Sequence, residues 1–232
     1  MTAILSNLQA IHRAITQAAQ AAQRDPASVM LLAVSKTFPA PAVREAYAAG
    51  QRAFGENYVQ EALDKIEALR DLNLEWHFIG PIQSNKTRVI AENFAWVHGV
   101  DRLKIAQRLS EQRPLNLPPL NICLQVNVSG EESKSGVAPQ DVAGLAREVS
   151  TLPRLKLRGL MAIPAPTDDL AAQRVPFAQL RELAQEITAR GIALDTLSMG
   201  MSHDFAAAIR EGATIIRVGT AIFGTRDYGE NK

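Results

Sequence analysis

Eight short apolar runs, each followed by a stretch with helical spacing, are the feature that most restricts what this chain can become. The runs are predicted as strands at 29–34, 52–54, 75–79, 95–98, 120–128, 155–163, 196–199 and 214–218. They are continuous rather than alternating, which suits a parallel sheet covered on both faces. Between them the spacing predicts helices at 41–49 (stopped by Gly50), after Gly55-Glu56-Asn57 up to Arg70, and at 84–93, 101–112, 139–150, 168–190 and 203–211. Ser84 and Asp101 are the expected N-caps of two of them. Spreading 232 residues over eight units gives 29 each, about one βα unit. A closed (β/α)8 barrel typically takes about 250 residues, so the expectation is one compact TIM-type barrel over 1–232, as a single domain. An open doubly wound sheet is the other solution, but no G-x-G-x-x-G follows the first strand. Ahead of the barrel, residues 2–24 put Ile4, Leu5, Leu8, Ile11, Ile15 and Ala18 on one helical face, and Asp25-Pro26 should end this extra N-terminal helix.

Bulk properties narrow the function classes. Hydrophobic residues make up 47% and charged residues 21%, the balance of a globular protein rather than a disordered one. A net charge of +1 gives no field that would gather nucleic acid or an anionic membrane. No apolar stretch reaches the roughly 18 residues of a membrane span. The start lacks the basic and apolar regions of a signal peptide, so a cytoplasmic protein is expected. The single cysteine, Cys123, lies in an apolar run and is expected to be a small core residue. His12, His77, His98 and His203 show no metal-ligand spacing, so no metal site is expected. Trp76, Phe78 and Phe94 read as packing residues rather than a stacking platform for bases.

In such a barrel the chemistry sits at the carboxyl ends of the strands. Residues falling there include Lys36, Glu56, Asn57, His77, Asn127, Ser129, Met161, Gly200, Met201, Ser202, Arg217, Gly219 and Thr220. Lys36 differs from most of the other six lysines, which fall in predicted helices, loops or the tail, where the solvated reading holds. It ends the apolar run Leu-Leu-Ala-Val-Ser-Lys, where desolvation costs a charge heavily. A partly buried lysine has a lowered pKa, and its free amine can attack an aldehyde. The plainer reading is a salt bridge to Glu56 at the barrel mouth. Gly219-Thr220-Ala221 offers backbone amides for an anion, Ser202 could add a hydroxyl from the neighbouring loop, and together they are expected to place an anion site across the barrel mouth from the lysine. Arg217, in an otherwise apolar strand, needs an acceptor, either a ligand heteroatom or an interior carboxylate.

Several segments then match a known family in order. They are Ala-Val-Ser-Lys-Thr at 33–37, Phe-Gly-Glu-Asn-Tyr-Val-Gln-Glu at 54–61 and Trp-His-Phe-Ile-Gly-Pro-Ile-Gln-Ser-Asn-Lys at 76–86. Ser-Lys-Ser-Gly at 133–136, Arg-Gly-Leu-Met-Ala-Ile at 158–163, Leu-Ser-Met-Gly-Met-Ser at 197–202 and Arg-Val-Gly-Thr-Ala-Ile-Phe-Gly at 217–224 follow. By these motifs the chain resembles the pyridoxal phosphate homeostasis protein family over almost its whole length.

The resemblance implies a barrel like the N-terminal domain of alanine racemase (fold type III), with pyridoxal 5′-phosphate held reversibly as a Schiff base. Lys36 matches the Schiff-base lysine and Arg217 the arginine facing the pyridine nitrogen. Ser202, Gly219 and Thr220 match the phosphate contacts, and Asn57 an asparagine near the cofactor. Two positions depart from relatives. Phe38 stands where some members have a second lysine, and His203 where some have an acidic residue.

An arginine does not surrender its proton, so it leaves the pyridine nitrogen an unprotonated acceptor and the ring a weak electron sink. Racemases of this architecture draw a second base from an additional domain, for which a chain ending at Lys232 has no room. Together these favour storage or delivery of the cofactor, without efficient catalysis, over turnover. The alternatives are a fold-type III amino-acid racemase-like enzyme and, less favoured, an aldolase using Lys36 on a sugar phosphate. PLP-dependent apoenzymes are the expected recipients, and a closed barrel without sheet edges favours a monomer.

Overall fold

A computed structural model describes residues 2–130 and 135–225. Of the positions singled out above, Ser133, Lys134 and Lys232 lie outside the described residues. The strands are β1 (Met30–Val34), β2 (Ala53–Glu56), β3 (Glu75–Phe78), β4 (Trp96–Val100), β5 (Leu120–Gln125), β6 (Leu155–Met161), β7 (Thr196–Ser198) and β8 (Ile215–Val218). They form one closed parallel barrel in chain order, and β8 returns to pair with β1 through Leu32↔Arg217 and Ala33↔Val218. The helices are α1 (Ala3–Ala21), α2 (Ala40–Ala48), α3 (Val59–Ala68), α4 (Thr87–Asn93), α5 (Leu103–Gln112), α6 (Val142–Ser150), α7 (Leu170–Ala189), α8 (Phe205–Arg210) and α9 (Thr220–Phe223). The order of strand and helix is the one expected. No helix is long and apolar enough to cross a membrane among the described residues.

Several boundaries differ from the sequence reading for local reasons. The helix α1 stops at Ala21, short of Arg24, because Gln23 turns into the left-handed region (φ 56°); Asp25 instead caps a short 3-10 turn at Pro26–Ser28. Ser84 does not cap α4: it lies within a 3-10 turn, and its carbonyl accepts from Thr87 Oγ1. Asp101 does not cap α5 either; it pairs with its neighbour Arg102. β2 runs on through Glu56, and β5 ends at Gln125, three residues before Val128.

Apolar residues divide into two shells. The larger one fills the space between strands and helices and includes Phe54, Phe78, Phe94, Leu109, Leu120 and Phe177. Phe78 and Phe94 meet edge to face at 5.3 Å, and Phe54 tilts against Trp76 at 5.9 Å, as packing residues should. The smaller shell fills the bore with Leu32, Val34, Ala53, Ile79, Trp96, Cys123, Met161 and Ile215. Cys123 is fully buried there, and burial pushes its thiol up to about 12, so it is inert packing.

Helix α1 lies outside the barrel over α2, α8 and α9, across the β8–β1 seam. It buries Leu8, Ile11, Ile15 and Ala19, and Asn7 Nδ2 donates to the carbonyl of Ile222 at 2.9 Å. Gly159 allows β6 and β7 to close up, since a Cβ there would sit 1.7 Å from the carbonyl oxygen of Thr196. Backbone has nowhere to retreat in a closed barrel. Gly159→Ala should therefore lower stability by about 1–3 kcal/mol, read as a lower urea midpoint at unchanged slope.

Candidate functional site

The six residues expected at the site all line one cavity of about 200 Å³ at the carboxyl ends of the strands: Lys36, Asn57, Ser202, Arg217, Gly219 and Thr220. Val34, Ile79, Ile163, Met201 and His203 complete its wall. Larger depressions of about 480, 530 and 640 Å³ lie elsewhere, but none joins a strand-end lysine to a buried arginine.

The arrangement differs from the expected one in a way that matters. Gly219 and Thr220 do not face Lys36 across the mouth. Because β8 pairs with β1, they stand beside it, and a Cβ on Gly219 would lie 3.1 Å from the carbonyl oxygen of Val34. Any side chain at 219 would press on the strand that carries Lys36. The first amides of the short α9 have no helical carbonyl to reach, and Gly219 and Thr220 line the cavity. Phe38, on the loop after Lys36, stacks on Phe223 of α9 at 5.1 Å and ties the two segments together. Ser202 is carried by a turn pinned where Met201 N–H donates to Asp204 Oδ1 at 2.6 Å. His203 is exposed at the rim.

Asn57 follows β2 with its Oδ1 buried and without a hydrogen-bond partner among the described residues. Its backbone is packed so closely against Gly80 that a Cβ there would lie 2.3 Å from the carbonyl oxygen of Asn57. Arg217 is 4% exposed and projects into the bore. Nη1 donates to Ser198 Oγ at 2.8 Å and Nη2 to the carbonyl of Ala162 at 2.9 Å. No carboxylate pairs with it, so the interior ion pair weighed from sequence is absent among the described residues. Burial lowers its pKa to about 10, which still leaves the guanidinium charged at neutral pH.

Sequence reasoning misjudged two partners. Glu56 points out of the barrel and pairs with Lys65 at 2.8 Å, so the salt bridge between Lys36 and Glu56 is not formed. Lys65, assigned to a solvated helix face, is only 4% exposed. Its Nζ also donates to Glu61 and to the carbonyl of Ser35, while Glu61 accepts from Thr37 N–H at 2.5 Å. Thr37 sits at φ 69°, a costly conformation for a threonine. This buried cluster therefore grips the backbone on both sides of Lys36. Burial raises the Glu56 carboxyl, partly offset by Lys65. The spacing Glu61 to Lys65, four apart on a helix, was the available signal.

The bore below Arg217 holds two histidines that no spacing announced. His77 Nδ1 lies 2.9 Å from His98 Nε2, His77 Nε2 lies 2.9 Å from Glu75 Oε1, and His98 Nδ1 lies 2.7 Å from Ser198 Oγ. Burial depresses both imidazoles, His98 well below the usual range. Of the other expected strand-end residues, Met161 lines the bore, Ser129 accepts from Ala165 N–H, and neither Ser129 nor Asn127 lines the cavity. No group of three or more metal-ligating side chains occurs among the described residues.

Residues 6–227 match the family described as alanine racemase, N-terminal domain. A pyridoxal phosphate homeostasis protein of Pseudomonas aeruginosa is 67% identical over 229 residues, covering 99% of this chain and 98% of that protein. The chain belongs to the pyridoxal phosphate homeostasis protein family. A further member, from Escherichia coli K12, is 52% identical over 99% of this chain and 100% of its own. Among solved structures, PipY of Synechococcus elongatus with PLP bound is 42% identical at a TM-score of 0.83, covering 95% of this chain and all of that one. Alanine racemase of Corynebacterium glutamicum shares the fold at 17% identity and a TM-score of 0.69, over 62% of its length.

Two outcomes follow for the family's fold as built here. Replacing Lys65 with Met strands a buried Glu56 and releases the Ser35–Thr37 backbone, so stability should fall by about 3–5 kcal/mol in denaturant unfolding. The depressed histidines act in the opposite direction from a stabilised base. The unfolded chain takes up their protons below about pH 6.5, whereas the folded one resists. Stability should be flat above about pH 6.5 and fall between about pH 6.5 and 5, before ordinary carboxylates titrate. A urea midpoint that holds or rises over that window would contradict neutral buried rings.

Proposed function

We propose that this chain binds pyridoxal 5′-phosphate in the Lys36–Arg217 cavity, holds it reversibly as a Schiff base on Lys36, and serves vitamin B6 homeostasis without efficient catalysis. The carrying observation is that Lys36 and Gly219 stand on the ends of paired strands, with Arg217 beneath in the same cavity. In this ligand the aldehyde and the phosphate-bearing arm are on adjacent ring carbons, and the pyridine nitrogen lies para to the aldehyde. A lysine beside an amide nest, with a donor deeper in the bore, matches that layout. When bound, the ligand supplies an aldehyde that condenses with a primary amine, releasing water. A relative 42% identical has been solved with PLP bound.

Each side chain then has a task. Lys36 supplies the amine. Gly219 leaves room for the phosphate, which the amides of Thr220 and Ala221 and the hydroxyls of Ser202 and Thr220 would hold. Asn57 Oδ1 offers a buried acceptor with no donor among the described residues, open to a donor from the ligand. Arg217, charged and anchored on Ser198 and Ala162, donates to the pyridine nitrogen and does not give it a proton. The ring is thereby kept from drawing electrons out of an attached amino acid, which supports holding over turnover.

Around this reading stand coarser proposals. Residues 1–232 act as one domain, because α1 buries its apolar face on the barrel's helices. The chain works in the cytoplasm as a monomer, with no sheet edge to pair, and hands the cofactor to PLP-dependent apoenzymes.

Absorption spectroscopy tests the site. Purified protein mixed with pyridoxal phosphate should gain a visible band that borohydride fixes on the peptide containing Lys36. Lys36→Ala should lose the band and keep its thermal unfolding. Arg217→Gln should shift the band and weaken binding about 10- to 100-fold, the loss of a charged hydrogen bond. A band fixed on another lysine would move the covalent role away from Lys36. Rapid amino-acid racemisation by the loaded protein would replace holding with turnover.

A further inference from the structure

The bore contains more polar chemistry than holding an aldehyde requires. Glu75, His77, His98, Ser198 and Arg217 form one unbroken series of hydrogen bonds from the lower mouth of the barrel to the cavity. Its lower end, Glu75, is half-exposed beside a depression of about 530 Å³ that also holds His12 and Arg52. The middle is shut off from bulk solvent: both histidines and Ser198 are fully buried, and the Trp96 ring stacks on His77 at 5.3 Å, nearly parallel at 5°.

We propose that Glu75, His77, His98 and Ser198 are positioning residues, a hydrogen-bond chain of one fixed polarity that orients the Arg217 guanidinium for the ligand's pyridine ring. The proposal rests on the cofactor reading for its ligand but not for the chain itself.

The polarity follows from the two ends. Arginine can only donate, and an ionised carboxylate can only accept. Arg217 therefore gives to Ser198 Oγ, and the serine's own hydrogen goes to His98 Nδ1. His98 must then carry its proton on Nε2 and give it to His77 Nδ1. His77 in turn carries its proton on Nε2 and gives it to Glu75. Every donor points from the cavity to the lower mouth, and both rings are neutral. Reversing either ring would set two donors or two acceptors face to face in a buried bore, or leave the serine hydrogen unpaired.

Charges around the chain agree with this polarity. Glu75 is held below the usual carboxylate range chiefly by its bond to His77, with Trp96 and Arg158 adding to it. Arg158 is itself paired with Asp195 and lies over the Trp96 ring at 4.7 Å. At the upper end, the carboxylate of Asp204 favours the charged form of Arg217, and the charge of Arg217 helps keep His98 neutral. The chain thus leaves the guanidinium as the positive group in the bore and fixes Ser198 Oγ as its acceptor.

Two measurements test it. Protein labelled with 15N-histidine, without ligand and then loaded with pyridoxal phosphate, should show His77 and His98 as neutral Nε2–H tautomers in long-range 15N–1H spectra of both states. A charged ring or an Nδ1–H tautomer at either position overturns the proposal. The second measurement compares the visible band and pyridoxal phosphate affinity of wild type, Glu75→Gln and Glu75→Leu, with circular dichroism to confirm folding. Glu75→Gln keeps an acceptor for His77 and should match wild type. Glu75→Leu removes the acceptor at the mouth opposite the ligand, and should weaken binding roughly three- to tenfold and move the band. If Glu75→Leu matches wild type, or Glu75→Gln behaves like Glu75→Leu, the polarity does not act on the ligand and the proposal falls while the cofactor reading stands. If wild type itself forms no band, the cofactor reading falls, and the chain's role toward that ligand falls with it.

Discussion

Pairing of β1 with β8 closes the sheet, and the site exists because of that closure. It brings Lys36, just past the first strand, into one cavity with Gly219, just past the last, and sets Arg217 into the bore level with Leu32. Neither strand could bury its apolar faces alone. Each gains a covered ladder only when the six intervening βα units have carried the chain round, so the site is assembled by the same event that completes the core. The seam is reinforced from outside by α1, which spans α8, α9 and α2, and from above by the Phe38–Phe223 stack.

Two buried polar systems flank the seam, and each is costly to place in low dielectric. On the outer face of β2, Lys65 sits between Glu56 and Glu61 and holds the carbonyl of Ser35, while Glu61 takes the N–H of strained Thr37. In the bore, Arg217 carries a charge with no carboxylate in contact among the described residues, balanced by a hydroxyl, a carbonyl and a line of neutral imidazoles. An apolar replacement of either system could give a more stable barrel. What they provide is orientation: one fixes the backbone around Lys36, the other the side chain of Arg217. A ligand captured by one covalent bond and one anion grip needs both groups in fixed relation before it arrives.

Period and punctuation in the chain were enough to specify eight βα units, because a parallel strand buried on both faces must be apolar throughout and the helix that covers it must not be. The identities of Lys36, Arg217, Gly219, Ser202, Thr220 and Asn57 as strand-end residues were legible for the same reason, as was the inert burial of Cys123. Caps were less legible. Ser84 and Asp101 carry the right side chains for N-caps, yet tertiary contacts drew those turns into other geometries.

What the sequence determined by itself, then, is the architecture and the list of groups at its upper mouth, since both depend on patterns repeated within some thirty residues. What only the tertiary structure decided is which groups meet. Barrel closure put Gly219 and Thr220 beside Lys36 rather than across from it, turned Glu56 outward to Lys65, and aligned Glu75, His77, His98 and Ser198 from three different strands beneath Arg217. Those contacts join residues remote in the chain through shear and register, which leave no local periodicity to read.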